Sequence, residues 1–235
     1  MIRAVASTLS RPALAALGGF AAVSVAHLVA QLAGADGAAN VSQWFLMPLL
    51  ALVLLLAAPA PRPRLVTLTL IALGFSWLGD SAPDLTGGDA AFLVMIGFFL
   101  LAQLAYIAAF WPYRGAVRRS VVLGYGVVVA GLVAACAAGA GALLVPALIY
   151  GICLGTMAAL STGLGVVAAV GGALFLVSDS MIALGAFADW FDPPASGFLI
   201  MSTYIAGQLL LTVGVLAAAR APRQPHPAAT SSAAR

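Results

Sequence analysis

The chain contains no lysine and no glutamate, so all of its charged side chains are arginines or aspartates. Charged residues make up only 7% of the sequence, whereas a soluble domain carries about a quarter. The two cysteines, Cys136 and Cys153, lie in apolar runs and are expected to be small buried hydrophobic residues. Together these shortages exclude an ordinary soluble enzyme, a disulfide-rich secreted domain and a metal site based on cysteine spacing.

Apolar residues dominate instead, at 63% of the 235 residues, with a mean hydropathy of +1.12. A run of about 20 apolar residues is long enough to cross a bilayer. We place eight such spans at about 13–33, 44–60, 65–83, 91–111, 118–138, 142–160, 164–187 and 196–219, the second being the shortest. The sequence therefore predicts an all-α polytopic membrane protein, with one eight-helix domain over residues 1–219 and a disordered cytoplasmic tail over 220–235.

The distribution of charge predicts the orientation of these spans. With the N-terminus inside, all ten arginines lie in or beside the inner segments, whereas the outer loops carry only aspartates. The positive-inside rule then places both termini in the cytoplasm. We expect a multi-pass protein of the cell membrane, and the alanine-rich composition suggests a bacterial source. Because the arginines are not clustered on one face, the net charge of +3 does not predict a nucleic-acid partner.

Two aspartates lie inside the predicted spans. Asp80 ends the string GFSWLGD and Asp179 ends the similar string LFLVSD. A carboxylate at membrane depth costs roughly 2.5–3.5 kcal/mol unless a partner or trapped water compensates for it. Because the chain accepts this cost twice in similar contexts, we predict that both groups belong to one polar site inside the bundle.

The surroundings of the two aspartates also suggest a duplication. FSWLGDS is followed by FLVMIGFFLLAQ at 92–103, and FLVSDS is followed by FLIMSTYIAGQ at 198–208. Four helices in each half, over 13–111 and 118–219, preserve direction and so predict two parallel four-helix repeats. The alternative is a chance match between apolar segments.

Further polar residues are predicted at a similar depth. With a rise of about 1.5 Å per residue, the side chains of His27, Asp80, Tyr150, Asp179 and Tyr204 lie roughly 8–13 Å below the outer boundary, with Gln103 and Gln208 slightly deeper. Three pairs share a helix face, namely Ser76 with Asp80, Gln103 with Tyr106, and Tyr204 with Gln208. Apart from the aspartates, each of these residues could instead serve only to hold helices together.

These motifs resemble one known family. The strings FSWLGDSAPDL, GGALFLVSDSMIAL and STYIAGQLL are similar to segments of the YhhN-type lysoplasmalogenases, and the resemblance runs from about 41 to 215. Two departures stand out. Gln43 and Trp44 replace the usual Lys and Pro, and Gln103 replaces a residue that is His in many members.

The resemblance implies an eight-helix membrane hydrolase that cleaves the vinyl-ether bond of lysoplasmalogens. The products would be a fatty aldehyde and a glycerophospho-ethanolamine or -choline, and no cofactor or metal would be needed. The substrate would be a lysophospholipid-type lipid, with water as co-substrate and membrane lipids around the bundle. Such hydrolysis begins when an acid protonates the alkene carbon, and water then captures the oxocarbenium ion.

Two carboxyl groups in different environments suit this chemistry, because burial in apolar surroundings favours the neutral acid while the other group stays ionised. We therefore predict that Asp80 and Asp179 are the catalytic acid/base pair, in an order left open. The predicted substrate-binding residues are Tyr150, Tyr204, Gln208, Gln103, Tyr106, His27, Ser76 and Ser178.

A proton-coupled transporter is the main alternative, since paired intramembrane acids in a duplicated bundle also serve as proton relays. Helices broken by glycine or proline at matching midplane positions would favour a transporter, and the sequence shows no such pair. A family member that acts on another ether lipid, or one that has lost catalysis, is the other alternative.

Overall fold

The computed structural model describes residues 9–221, and within this range the chain forms α-helices and short 3-10 turns without any β-strand. Eight α-helices follow one another, namely α1 Arg11–Leu32, α2 Asp36–Ala57, α3 Arg64–Ser81, α4 Gly88–Phe110, α5 Arg119–Ala140, α6 Leu144–Ser161, α7 Val166–Phe187 and α8 Ser196–Arg220. The predicted all-α membrane bundle is confirmed. Residues 222–235, which make up most of the predicted disordered tail, lie outside the described residues.

The number of membrane-crossing segments differs from the prediction in one place. Seven segments of the described chain are long and apolar enough to cross a membrane. One of them, Arg119–Leu164, has 46 residues and contains both α5 and α6. The chain turns between these helices at Gly141, whose φ of 48° favours glycine, and they then pack against each other. The eight predicted spans thus correspond to eight helices but to seven continuous apolar segments.

The predicted second span was wrong at its start. Helix α2 begins at Asp36 and has 22 residues, so it is not the shortest helix. The error arose because polar residues such as Ser42 and Gln43 interrupt the apolar run there. Inside the helix Ser42 donates a hydrogen bond to the Ala38 carbonyl at 2.7 Å, and Gln43 contacts another helix. Asp36 lies in the first turn, where an acidic side chain interacts favourably with the helix dipole.

Helix α8 holds the bundle together. It packs closely on α7 and also contacts α1, α2 and α3. A Cβ added to Gly171 of α7 would lie 2.6 Å from the Leu211 nitrogen, and one added to Gly207 of α8 would lie 2.9 Å from the Phe175 nitrogen. The backbones of α7 and α8 therefore touch, and this contact fixes the position of α8 in the bundle.

The contacts between helices follow a similar order in both halves. Helices α1 to α4 pack each on the next, and so do α5 to α8. In addition α4, the last helix of the first half, packs on α6, the second helix of the second half. The equivalent contact joins α8, the last helix of the second half, to α2, the second helix of the first half, and it is also present. Helix α5 also packs on α7, whereas α1 and α3 have no comparably close contact, and the repeat itself stays a prediction.

The apolar core lies on the inner faces of the helices. Large side chains with no exposed surface include Leu50 of α2, Leu73 of α3 and Leu211 of α8. Helix α5 is the most peripheral, since Leu123 and Val127 are 71% and 74% exposed. Apolar side chains on an outer face are suited to contact with lipid, so the bundle is apolar both inside and outside.

Candidate functional site

Asp80 and Asp179 both point into the bundle. Asp80, one residue before the end of α3, is 8% exposed, and Asp179, on α7, is 5% exposed. The two carboxyl groups are close enough to interact electrostatically. The structure thus brings together the two residues that the sequence singled out, on helices from opposite halves of the chain.

Neutral donors from two helices hold Asp80. The Tyr204 hydroxyl of α8 donates a hydrogen bond to Asp80 Oδ2 at 2.8 Å. The Gln43 amide of α2 donates to Asp80 Oδ1 at 3.3 Å. Both oxygens of this carboxyl group are therefore occupied by the protein itself.

Asp179 has a different environment. The Tyr150 hydroxyl of α6 donates to Asp179 Oδ2 at 2.5 Å, whereas Oδ1 accepts no hydrogen bond from the described residues. Asp179 and Tyr150 border a cavity of about 60 Å³ whose other walls are apolar and include Phe92 and Phe187. A water needs roughly 10–15 Å³ of such space, so a few waters would fit. Asp80 does not line this cavity, so Asp179 is the carboxyl group that a small molecule in it would meet.

A second polar layer lies one helical turn away from the Asp80–Tyr204 hydrogen bond. The Gln208 amide of α8 donates to Ser76 Oγ of α3 at 3.1 Å, and the Tyr106 hydroxyl of α4 donates to Gln208 Oε1 at 2.6 Å. Ser76 lies four residues before Asp80, and Gln208 lies four residues after Tyr204, so each pair shares a helix face. The hydrogen bonds between Tyr204 and Asp80 and between Gln208 and Ser76 therefore connect α3 to α8 at two levels, one helical turn apart.

Gln103 is the least satisfied polar side chain near the two aspartates. It is fully buried on α4, and neither its amide nitrogen nor its amide oxygen makes a hydrogen bond among residues 9–221. It nevertheless lies close to the Tyr150 hydroxyl. Leaving a buried polar group unpaired costs about 1–3 kcal/mol, and Gln103 does not line the cavity beside Asp179.

Of the predicted substrate-binding residues, only Tyr150 and Tyr204 hydrogen-bond an aspartate, and two others lie outside the polar layers described above. His27 Nδ1 lies 3.1 Å from the Ala39 carbonyl oxygen and 3.0 Å from Ser42 Oγ, and so links α1 to α2. Ser178 donates to the Ile200 carbonyl at 3.0 Å and so links α7 to α8. Their observed contacts are hydrogen bonds between helices.

The sequence did not identify two further residues of the site, Gln43 and Phe99. In the sequence Gln43 stands out only as a departure from the family pattern, and the structure shows that its amide donates a hydrogen bond to Asp80. Phe99 packs edge-on against the Tyr204 ring, with ring centroids 5.8 Å apart. A Cβ at Gly79 would lie 2.8 Å from Phe99 Cδ2, so the glycine before Asp80 makes room for this ring.

The arrangement offers two carboxyl groups with unequal contacts. Asp80 is held on both oxygens, and Asp179 keeps one oxygen beside the cavity. No group of three or more His, Cys, Asp or Glu side chains that could hold a metal ion occurs in the part of the chain that the structure describes. The chemistry that these residues can carry out is proton transfer and the stabilisation of a positive charge.

Comparison with known proteins gives a family for the chain. The model of the YhhN family matches residues 38–215, which span α2 to α8 and include both aspartates and their hydrogen-bond donors. No curated protein and no solved structure matches the chain. Since the family model covers more than half of its length, the chain belongs to the YhhN family.

Proposed function

We propose that this protein is a lysoplasmalogenase-like hydrolase. It would cleave the vinyl-ether bond of a lysoplasmalogen to give a fatty aldehyde and a glycerophospho-ethanolamine or -choline. The observation that carries the proposal is the pair of buried carboxyl groups that interact electrostatically, one enclosed by donors and the other beside a cavity. Membership of the YhhN family supports it.

The proposed reaction needs one proton donor, one water and one proton acceptor. Asp179 borders the cavity, so we assign it the protonation of the alkene carbon that is remote from the ether oxygen. The carbon bonded to oxygen then becomes an oxocarbenium ion, which the nearby Asp80 carboxylate stabilises electrostatically. Water adds to this carbon and gives its proton to the Asp179 carboxylate, and the resulting hemiacetal collapses to aldehyde and glycerol alcohol.

The neighbouring polar groups would position the reactants. Tyr150 fixes the orientation of the Asp179 carboxyl group through its hydrogen bond. The Gln103 amide lies beside Tyr150 but does not line the cavity, so it would act by fixing the Tyr150 hydroxyl. Metal ions have no part in this scheme, because the two carboxyl groups supply both the proton and the stabilising charge.

The fatty chain would enter through the apolar side of the cavity. At about 60 Å³ the cavity accommodates water but not a lysolipid. Phe92 at the start of α4 and Phe187 at the end of α7 both line it, and their rings meet edge-on with centroids 5.8 Å apart. Separation of these rings would open a path for the chain between α4 and α7.

The test is to incubate detergent-purified protein with lysoplasmalogen and to measure free aldehyde by mass spectrometry. Asp80→Asn and Asp179→Asn should each reduce the rate by about 10²–10⁴-fold, because Asn neither donates a carboxyl proton nor carries the negative charge. Asp189→Asn, at an exposed position, is the matched control and should behave like the wild type.

The outcomes separate the proposed function from its rivals. Near wild-type rates for both Asn variants would contradict the mechanism. Unchanged lysoplasmalogen in the presence of folded wild-type protein would contradict the hydrolase itself and favour a transporter or a different ether-lipid substrate. Folding is checked for each variant by size-exclusion chromatography after extraction from the membrane, where a folded variant elutes as a single peak.

A further inference from the structure

A second and larger concavity lies on the outer face of α5 and α6, away from the two aspartates. It is a groove of about 730 Å³, within the range of small-molecule sites. Its walls are mainly apolar and include Val122, Gly126, Ala130, Leu148, Ile152 and Ala159. It shares no lining residue with the cavity beside Asp179, so it is a separate place on the molecule.

Small residues create the groove between two closely packed helices. A Cβ added to Gly155 of α6 would lie 2.6 Å from Val129 Cγ2 of α5, so the helices meet at the floor of the groove. Gly126 also lines the groove, but no atom lies within 4 Å of its Cβ position. The space above Gly126 is therefore open, and a larger side chain there would fill it.

One end of the groove is positively charged. Arg114, in the turn before α5, and Arg119, the first residue of α5, both line it, and no aspartate does. Arg114 donates a hydrogen bond to the Trp111 carbonyl at 3.2 Å, and its guanidinium lies 5.1 Å from the centroid of the Trp111 ring. These contacts orient a group whose remaining N–H donors suit phosphate oxygens.

The length of the groove matches one leaflet of a bilayer. Along α5 it runs from Arg119 to Ala130, which at a rise of about 1.5 Å per residue is roughly 17 Å. The hydrocarbon core of a bilayer is about 30 Å thick, so one leaflet is about half of that. Arginines at the membrane surface with an apolar groove of this length below them match the shape and charge of a phospholipid.

We propose that this groove binds an anionic phospholipid taken from the bilayer. Arg114 and Arg119 hold the phosphate, and an acyl chain lies along α5 over Gly126. The charge of the groove selects an anionic over a zwitterionic headgroup, because Arg114 and Arg119 repel a choline cation and no acidic side chain among the lining residues offsets that repulsion. The proposal is independent of the hydrolase activity.

Binding is measured with the detergent-purified full chain and two short-chain lipids, dioctanoyl phosphatidylglycerol and dioctanoyl phosphatidylcholine. Phosphatidylglycerol brings a net negative charge to two arginines and phosphatidylcholine does not, so phosphatidylglycerol should bind roughly tenfold more tightly. Native mass spectrometry gives the number of bound lipids, and the shift in melting temperature gives the relative affinity. Equal binding of the two lipids by the wild type would overturn the proposal.

Matched variants test each part of the groove. Arg114→Gln combined with Arg119→Gln should remove the preference for phosphatidylglycerol. Arg62→Gln combined with Arg64→Gln removes the same charge from another exposed segment and should keep the preference. Loss of the preference in the second double variant, or its survival in the first, would show general surface attraction and overturn the proposed site.

A second pair of variants tests the acyl chain. Gly126→Phe fills the groove and should abolish binding of both lipids. Gly124→Phe, an exposed glycine on the same helix that does not line the groove and also has no atom within 4 Å of its Cβ position, should leave binding unchanged. Wild-type binding by the Gly126 variant, or an equal stabilisation by glycerol phosphate alone, would contradict a lipid site.

Discussion

The two carboxyl groups depend on their tyrosines to different degrees. Asp80 accepts from Tyr204 and also from Gln43, so it keeps one donor if the other is removed. Asp179 accepts only from Tyr150 among the described residues. The two phenol groups are chemically identical, so replacing each in turn measures how much the surroundings of each aspartate matter.

Tyr150→Phe should therefore reduce aldehyde release more than Tyr204→Phe. Loss of a hydrogen bond to a charged group costs about 1.5–3 kcal/mol, which corresponds to roughly 10- to 100-fold in rate if the bond is fully used in the transition state. For Tyr204→Phe we expect less than about tenfold, because Gln43 remains. The rates are compared as kcat and KM in the lysoplasmalogen assay.

Tyr113→Phe is the control for this pair, since Tyr113 lies in the turn after α4 and contacts neither aspartate. A larger effect at Tyr204 than at Tyr150 would contradict the assignment of Asp179 as the group that meets the substrate.

At the scale of single elements, the sequence predicted seven helices to within a few residues but placed the start of α2 wrongly. Long apolar runs bounded by Gly, Pro and Arg define a membrane helix well. The first turns of α2 carry Asn40, Ser42 and Gln43, which resemble a loop when considered alone. The partner of Gln43 lies inside the bundle, at Asp80, and that information is not local.

The residues of the site were predictable only in part, because their contacts are also not local in the sequence. Asp80 and Asp179 are conspicuous because they are the only charges in apolar runs, and helical spacing paired Tyr204 with Gln208. The rotation of each helix about its axis decides which side chain borders a cavity. That rotation depends on packing, so the contrast between Asp179 at the cavity and Asp80 away from it was not predictable.

The backbone contact between α7 and α8 gives a prediction for these elements. Gly171→Leu should lower the melting temperature by several degrees, because overpacking costs about 1–3 kcal/mol and no space exists between Gly171 and the α8 backbone. It should also reduce hydrolysis, since Tyr204 moves with α8. Gly185→Leu, on the same helix with no atom within 4 Å of its Cβ position, should melt like the wild type. Equal melting of the two variants would contradict the close contact.

The aromatic pair between α4 and α7 gives a second prediction at this scale. Phe92→Ala removes an edge-to-face contact worth about 0.5–1.5 kcal/mol, so kcat/KM for lysoplasmalogen should rise by roughly two- to tenfold. Leu93→Ala is the control, because Leu93 is exposed and does not line the cavity. A fall in kcat/KM for Phe92→Ala alone would indicate that the ring binds the substrate and does not obstruct it.

At the scale of the whole molecule, the distribution of arginines predicts the direction in which each helix crosses the membrane. We propose that both termini are cytoplasmic, because the arginines then lie inside. With both native cysteines replaced by alanine, single cysteines at Ala142 and Asp192 should react with a membrane-impermeant maleimide in intact cells. A cysteine at Gly115 should react only after lysis. All three positions are exposed in the structure.

Ala142 also tests the span count, since it lies in the turn between α5 and α6. Labelling of Ala142→Cys from outside supports two crossings within the 46-residue segment. If it is protected in intact cells while Asp192→Cys is labelled, α5 and α6 do not cross separately and the eight-span topology is wrong.

The hydrogen bond between Tyr204 and Asp80 joins residues 124 positions apart, which has a consequence for how the protein is made. During synthesis Asp80 enters the membrane long before Tyr204 exists, and Gln43 is then its one donor among the residues that the structure describes. Asp179, in contrast, follows its partner Tyr150 along the chain. A chain interrupted before α8 would therefore carry an incompletely paired carboxyl group in the bilayer, a defect that quality-control proteases could recognise in unfinished molecules.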